Sequence, residues 1–245
     1  MRGWAAKRAR LVAELTRAPR VEPGRYDVVL DNEMVGLMLH EAFGHATEGD
    51  RVLADGSVLQ GRVGEVVASE LVSIVYDGLV EGRVYVPFDD EGVATRAKSV
   101  LGRGVFKTLL HSYYTACRMG SEPTGNGFRQ RPASQPVPSF TNLMVRPGKG
   151  SSESFAEDVR RGIVVYEVIG SWMSDPTTGQ VKATVTHGLL IERGRPVRPV
   201  KGVVMGGNIY RLLSENLQEV GGNVEVVGNA VVPSLWVSDV DIAGS

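Results

Sequence analysis

The segment His40-Glu41-Ala42-Phe43-Gly44-His45 holds the side chains best suited to chemistry in this chain of 245 residues. A neutral imidazole is a good zinc ligand, and a carboxylate beside a bound metal can take a proton from water. Two imidazoles that flank a carboxylate are therefore the raw material of a hydrolytic metal site. Three titratable groups in an otherwise apolar helix are also costly to bury without a function.

The spacing of the two histidines constrains the helix that carries them. In the familiar H-E-x-x-H motif the histidines at i and i+4 share one helical face, whereas His40 and His45 stand at i and i+5. On a regular α-helix this places the second imidazole roughly 140° away from the first. Both can reach one ion only if the helix bulges or ends between them, and Gly44 permits such a break. The alternative is a polar patch on a buried helix, with each histidine bonded to a backbone carbonyl.

Other polar residues offer weaker candidates. Glu48 and Asp50 could accept a hydrogen bond from an imidazole and fix its tautomer, or they could be acids of a solvent-exposed loop. The triplet Asp89-Asp90-Glu91 could hold a cation or a peptide amino terminus, although a solvated turn is the default interpretation. Isolated histidines such as His111 and His187 are usually structural.

The composition narrows the class of protein. A hydrophobic content of 42% and a charged content of 22% are ordinary for a globular protein. No apolar run approaches the roughly 18–20 residues that span a bilayer, so we expect no membrane segment. The single cysteine, Cys117, excludes an internal disulfide, and the charged N-terminus does not fit a signal peptide. We therefore expect a cytoplasmic protein.

Charge is unevenly distributed along the chain. Residues 1–25 carry seven Lys or Arg and two acids, a net charge of +5, which leaves −6 for residues 26–245. A basic helix could touch nucleic acid, but the overall charge is near zero and basic and aromatic residues do not alternate. These observations argue against nucleic-acid binding.

The pattern of elements predicts a basic N-terminal helical segment over 1–25, with its helix at 4–18, and one domain over 26–245. A strand at 26–30 precedes a helix capped by Asn32, which carries the histidine motif into a packed interior. Further strands are predicted at 63–67, 71–76, 84–88, 143–146, 163–169, 181–191 and 235–240, and further helices at 107–118, 152–161 and 208–219. Strands outnumber helices without a regular alternation, which indicates a single α+β domain with extensive antiparallel β-sheet and a few helices. The polar segment 121–139 is predicted to be a long functional loop.

The order of several short motifs resembles the C-terminal metallopeptidase domain of the TldD/PmbA family, in its TldD branch. After the histidine motif come Glu48-Gly49-Asp50, Asp89-Asp90-Glu91-Gly92, Pro123-Thr124-Gly125-Asn126-Gly127, Thr141-Asn142, Pro147-Gly148-Lys149 and Pro199-Val200-Lys201-Gly202. The resemblance runs along nearly the whole chain.

The resemblance implies a zinc-dependent metallopeptidase that hydrolyses short or unfolded peptides. His40 and His45 would then bind Zn²⁺, and Glu41 would activate the metal-bound water as the general base. It also implies a homodimer, or a heterodimer with a PmbA-type chain, that encloses a chamber. An antiparallel sheet edge would pair there with the substrate backbone.

Two departures from the family pattern keep an alternative open. Family members usually carry a further N-terminal domain, and their third zinc ligand is a cysteine in a glycine-rich loop, whereas the corresponding segment 221–233 has none. Two histidines alone should bind zinc weakly unless Glu48, Asp50, Glu225 or a partner chain supplies a third donor. The alternative is a catalytically inactive truncated paralogue that acts as a scaffold for a partner or a peptide.

Overall fold

The computed structural model describes residues 21–81, 83–170 and 174–244, together with Ala13 and Ala18. The helix predicted over 4–18 therefore lies almost entirely outside the described residues, and the predicted boundary at residue 25 stays a prediction. Among the described helices, none combines the length and the apolar character that a membrane crossing requires.

Strands dominate the described residues, and most of them are short. In chain order they are β1 Gly24–Leu30, β2 Ile74–Tyr76, β3 Lys98–Gly102, β4 Val105–Phe106, β5 Gly127–Phe128, β6 Val137–Pro138, β7 Leu143–Val145, β8 Arg161–Ile169, β9 Gln180–Glu192, β10 Arg195–Val200, β11 Val203–Asn208, β12 Leu217–Val220, β13 Glu225–Val227, β14 Ala230–Val232 and β15 Leu235–Ala243.

The first sheet closes on itself. Its pairings run β1–β8–β9–β11–β15, and β15 pairs back to β1, while β10 extends β9 and β12 extends β15. All of these pairs are antiparallel except β1 with β8. Side chains alternate across a strand, so Val28 and Leu30 join the main core, whereas Val29 packs with Phe155 on the other face.

The second sheet has the order β13-β14-β7-β2-β3-β4, and β5 and β6 form a separate two-stranded pair. Helical segments are short: α1 Asn32–Met38, a π-helix at Leu39–Gly44, a 3₁₀-helix at His45–Thr47, α2 Gly49–Leu53, α3 Tyr113–Met119, α4 Ser152–Asp158 and α5 Ile209–Leu212. The α+β class with predominantly antiparallel strands is confirmed.

Helix α1 follows β1 directly and packs against both sheets. It contacts β1 and β8 of the closed sheet and the β13–β14 hairpin of the second sheet. Its side chains Met34, Val35 and Met38 are fully buried, and the apolar face continues into the π-helix through Leu39 and Phe43. Burial of these apolar side chains stabilises the helix and fixes the position of the residues that follow it.

Several predicted elements are wrong, for reasons the structure makes plain. Residues 63–67 and 84–88 form turns and extended loops, in which Val66 and Phe88 are 70% and 62% exposed. Each run forms only an isolated bridge, Val66 with Val105 and Phe88 with Ala94, and the pairing does not continue into a strand. The helix predicted over 208–219 ends at Leu212, because Leu217–Val220 pairs with β15.

Helix boundaries also differ from the predictions. The helix at 107–118 begins only at Tyr113, with Ser112 as its cap, and α4 is capped by Ser151 and ends at Asp158. Asn32 is not the N-cap of α1, since Asp31 occupies that position. The Asn32 side chain instead donates hydrogen bonds to the backbone oxygens of Asn223 and Val232.

Candidate metal centre

The helix that carries the histidine motif changes its pitch within the motif. Residues Leu39–Gly44 form a π-helix, and the backbone N–H of His45 donates to the carbonyl oxygen of His40. This hydrogen bond joins residues i and i+5, whereas an α-helix joins residues i and i+4, so the turn is one residue wider. The predicted departure from a regular helix is therefore present, and it returns His45 to the side of the helix that His40 occupies.

The two imidazole rings lie side by side. Their centroids are 5.1 Å apart and their planes are perpendicular. Two imidazoles bound tetrahedrally to one zinc, at Zn–N distances of about 2.0–2.1 Å, have ring centres about 5 Å apart. The His45 side chain is 29% exposed, so an ion can reach the pair from solvent.

Each histidine has one ring nitrogen occupied by an oxygen acceptor. His40 Nδ1 lies 3.2 Å from Asn229 Oδ1, and His45 Nδ1 lies 3.0 Å from Glu48 Oε2. Because these oxygens can only accept, they favour a hydrogen on Nδ1 of each ring, and the neutral ring then has its lone pair on Nε2. Metal-bound histidines usually have this arrangement, with the second nitrogen donating to a carboxylate or carbonyl oxygen. The expected contact between Glu48 and an imidazole is present, and the interpretation of Glu48 as a solvent-exposed loop acid is wrong, since Glu48 is 5% exposed.

Asn229 was not a candidate in the sequence, because it lies 189 residues from its histidine partner. It occupies the turn between β13 and β14, and this hairpin packs directly on α1. A Cβ placed on Gly36 of α1 would lie 2.8 Å from Val227, so glycine allows the hairpin to approach closely. The hydrogen bonds from Asn32 to the chain at Asn223 and Val232 attach the hairpin at its other end.

The electrostatics of the site centre on the pair of His45 and Glu48. The hydrogen bond to Glu48 raises the pKa of His45, and the charge of Glu41 adds to that effect. Burial raises the pKa of Glu48, against the opposing effect of its bond to His45. Asp50 does not contact either histidine, and its Oδ1 accepts from the N–H of Arg51.

Glu41 lies between the histidines in the sequence and is partly exposed. Within the described part of the chain its carboxylate accepts no hydrogen bond, whereas its charge acts on His45. A carboxylate with unoccupied oxygens next to a metal is suited to accept a proton from water.

An aromatic wall closes one side of the pair. The ring of Phe140 lies edge-on to His40, with centroids 5.0 Å apart, and stacks on Tyr76 at 5.0 Å. Burial raises the pKa of Tyr76, so its hydroxyl stays protonated. Thr47 donates a hydrogen bond to the Gly44 carbonyl oxygen at 2.7 Å, next to the end of the π-helix. Phe140 was not a sequence candidate either.

Among the described residues, no third donor joins the two histidines. Across residues 21–81, 83–170 and 174–244, no three or more His, Cys, Asp or Glu side chains come together in a way that could hold a metal. Those ranges contain all four histidines and the only cysteine, and Cys117 is exposed on α3. Glu48 is not a third ligand in this arrangement, because it is bonded to His45. The residues therefore fit two positions of a zinc site.

The acidic triplet serves a structural purpose. Asp89 is buried and accepts hydrogen bonds from the backbone N–H groups of Glu91, Val93 and Gly127. The other two carboxylates also accept from backbone N–H groups, Asp90 from Arg129 and Glu91 from Tyr113. The default interpretation of a solvated turn is wrong for Asp89. The triplet attaches the loop 121–139 and the start of α3.

The remaining histidines are structural, as expected. His111 is buried against Gly49, and its Nδ1 lies 3.2 Å from Thr115 Oγ1. Burial lowers the pKa of His111. His187 is paired with Glu167 on the neighbouring strand.

Known proteins share this sequence and this fold. A metalloprotease of Methanothermobacter thermautotrophicus is 34% identical over 209 residues, which cover 85% of this chain and 45% of that protein. A metalloprotease TldD homolog of Haemophilus influenzae is 34% identical over 186 residues, covering 76% and 38% of the two chains. The crystal structure of TldE from Thermococcus kodakarensis matches with a TM-score of 0.84 and 27% identity, over 91% of this chain and 51% of that one. The chain thus spans about half the length of these relatives.

The family itself is identified by a match over most of the chain. The model of the PmbA/TldA metallopeptidase C-terminal domain matches residues 23–244. The resemblance to the TldD/PmbA family is confirmed, and a metallopeptidase family implies a metal. This chain belongs to the PmbA/TldA metallopeptidase C-terminal domain family.

Proposed function

We propose that this chain is a zinc-dependent peptidase, or a subunit of one, that hydrolyses short or unfolded peptides. The observation that carries the proposal is the pair of His40 and His45, whose rings lie 5.1 Å apart with each Nδ1 bonded to an oxygen acceptor. The metalloprotease names of the relatives support the same reaction class.

The residues divide the work between binding and proton transfer. His40 and His45 would hold a zinc ion through their Nε2 lone pairs. The zinc would supply a Lewis acid that polarises a carbonyl and makes water more acidic. Glu41 accepts the proton of the attacking water on a carboxylate oxygen and delivers it to the nitrogen of the departing amine. Asn229 and Glu48 keep the ring hydrogens on Nδ1.

The proposal also covers the substrate, the cellular location and the partner chain. We propose a peptide substrate, a cytoplasmic location, and either a homodimer or a heterodimer with a PmbA-type chain. In this proposal the partner chain would form part of a peptide-binding chamber and would supply a third zinc donor.

The test replaces the general base and leaves the metal ligands intact. We expect Glu41→Gln to retain zinc and to lower the rate of hydrolysis of unstructured peptides by about 10²–10⁴-fold, the usual contribution of a positioned base. Zinc content and peptide turnover are measured on the same preparations. Turnover that is unchanged in the variant contradicts the assigned role of Glu41.

A second function, a peptide-binding scaffold without catalysis, is favoured by one observation. The described residues bring no third donor to the two histidines. On this alternative, the wild type and Glu41→Gln bind a fluorescent unstructured peptide equally, and neither cleaves it when zinc is supplied. Cleavage that depends on Glu41 excludes the scaffold.

A further inference from the structure

Phe140 occupies a space that exists only because residue 44 is a glycine. A Cβ placed on Gly44 would lie 2.5 Å from Cε1 and 2.6 Å from Cζ of Phe140. Both distances are far below van der Waals contact, so any side chain at residue 44 would displace the ring. The glycine directly before His45 thus admits an aromatic ring against the helix backbone.

The same ring touches both candidate ligands. Its centroid lies 5.0 Å from that of His40, with an interplanar angle of 67°, and 6.1 Å from that of His45, with an angle of 54°. On another side Phe140 stacks on Tyr76, which is itself 1% exposed and therefore fixed in the core. Edge-to-face and offset contacts at these separations are favourable for aromatic pairs.

Segment 121–139, which contains the β5–β6 pair, positions this ring. Asn126 and Ser139 bond to each other twice: the Ser139 N–H donates to the Asn126 carbonyl oxygen, and the Asn126 side chain donates to the Ser139 carbonyl oxygen. These bonds fix the end of the loop one residue before Phe140. The buried Asp89 anchors the same loop at Gly127.

A hydrogen bond at Nδ1 does not by itself determine the orientation of an imidazole. The ring can still tilt about the axis of that bond, and its Nε2 lone pair then moves away from the ion. A flat, immobile side chain packed beside the ring restricts this tilt. A site with two histidines depends strongly on such restriction, because a ligand group must be held within about 0.5 Å of its productive position.

We propose that Phe140 is a positioning residue that holds the rings of His40 and His45 in the orientation for one shared ion. Gly44 is required within the motif because it admits this ring. The inference rests on the proposed function, since it concerns the ligands of the same zinc.

The test removes the ring contact from both sides. Phe140→Leu keeps an apolar side chain but loses the flat ring, and Gly44→Ala pushes the ring away while alanine favours the helix. We expect each variant to lower zinc affinity, measured by competition with a chromophoric chelator, by about 10- to 100-fold, as for other residues that orient metal ligands. The cobalt-loaded variants should also show weaker visible absorption than the wild type, as the four-coordinate geometry is lost.

Matched controls separate positioning from general destabilisation. Phe155→Leu removes a buried aromatic ring from the other core cluster, and Gly206→Ala adds a methyl group whose nearest neighbour is 4.0 Å away. Both controls should retain the zinc affinity of the wild type. An equal loss in Phe155→Leu, matched to its loss of thermal stability, overturns the proposal.

A readout on the metal-free protein distinguishes this inference from the proposed function. Proton NMR should show nuclear Overhauser contacts between the imidazole rings of His40 and His45 in the wild type, whose centroids are 5.1 Å apart, and weaker contacts in Phe140→Leu and Gly44→Ala as the rings tilt. A wild type that binds no zinc, with variants that lose these contacts, contradicts the proposed function and leaves the positioning role intact. A wild type that binds zinc, with variants of equal affinity and unchanged ring contacts, overturns the positioning role alone. If one variant does not fold, the other decides, because both act on the same contact.

Discussion

Glu48 is a carboxylate that the fold buries next to a histidine. Burial disfavours its charged form, and the hydrogen bond to His45 Nδ1 at 3.0 Å partly offsets that cost. Arg51 Nε, 3.9 Å from Oε2, adds a weaker electrostatic contribution. A buried ion pair contributes little net stability, so we infer that Glu48 acts mainly on the orientation and basicity of the imidazole.

The first prediction concerns this contact. Glu48→Gln keeps the size of the side chain but replaces the charged acceptor by a neutral one. We expect zinc affinity to fall about 10-fold or more, with little change in the thermal stability of the metal-free protein. Isothermal titration with zinc measures the effect. Asp50→Asn is the control, since Asp50 does not contact either histidine, and an equal loss there contradicts the role of Glu48.

Residues close together in the sequence could be identified as site candidates, and distant ones could not. His40, Glu41, His45 and Glu48 fall within nine residues, so helix geometry alone relates them. Phe140 and Asn229 lie 100 and 189 residues from His40, and only the tertiary fold brings them to it. Neither a phenylalanine before a strand nor an asparagine in a hairpin turn is distinctive in type or spacing.

At the scale of elements, the hairpin of β13 and β14 provides the hydrogen-bond partner of His40. It lies within segment 221–233, which contains no cysteine, and it places an amide oxygen 3.2 Å from Nδ1 of His40. Its three-residue strands contain Val, Glu and Ala, a run too short for a sequence pattern to predict. The π-helix, by contrast, was foreseeable as a bulge, because the spacing of the histidines required one.

The second prediction separates the hairpin contact from helix propensity. Gly36→Ala should favour the isolated helix, yet it should lower the free energy of unfolding by about 1–3 kcal/mol, because the new methyl group overlaps Val227. Val227→Ala introduced into that variant should restore most of the loss, as a coupled pair does. Urea unfolding of the four proteins of this cycle measures the coupling. Additive effects contradict the direct contact.

The third prediction concerns Lys98 on β3. Burial, with a smaller effect of the neighbouring Arg96, lowers its pKa to about 8. Between pH 8 and its ordinary value the unfolded chain binds more protons than the folded one, so the free energy of unfolding rises with pH through this window. Allowing for partial exposure, the rise is roughly 1–2 kcal/mol.

Lys98→Met removes this titration. The difference in unfolding free energy between the variant and the wild type should therefore be larger near pH 7 than at about pH 9.5, in favour of methionine. Urea unfolding at the two pH values gives the difference directly, and other titrating groups cancel in the comparison. A difference that does not change with pH contradicts the lowered pKa.

At the scale of the whole molecule, the helix that carries the histidine motif is held between two sheets. The closed sheet packs on one side through β1 and β8, and the second sheet reaches the other side through β13 and β14. The sequence predicted the α+β class and the antiparallel sheet, because predicted strands outnumber helices and do not alternate regularly with them. The sequence did not predict that the first sheet closes, because closure depends on the pairing of β15 with β1.

The number of protein donors also limits the zinc affinity of this chain. Two imidazoles are the protein donors that the described residues bring together, whereas catalytic zinc normally takes three. We therefore expect this chain alone to bind zinc more weakly than a three-donor site, and a partner chain that supplies the third donor to increase the affinity. Titrations with and without a co-expressed PmbA-type chain measure the increase. Equal affinity in both contradicts completion of the site by a second polypeptide.

The most direct test is X-ray absorption spectroscopy of the zinc-loaded chain, with zinc content measured on the same sample. One zinc per chain with two imidazole ligands is expected, and both signals should be lost in His40→Ala and in His45→Ala. Zinc that never becomes stoichiometric at saturation, or an imidazole signal that persists in both variants, contradicts the account.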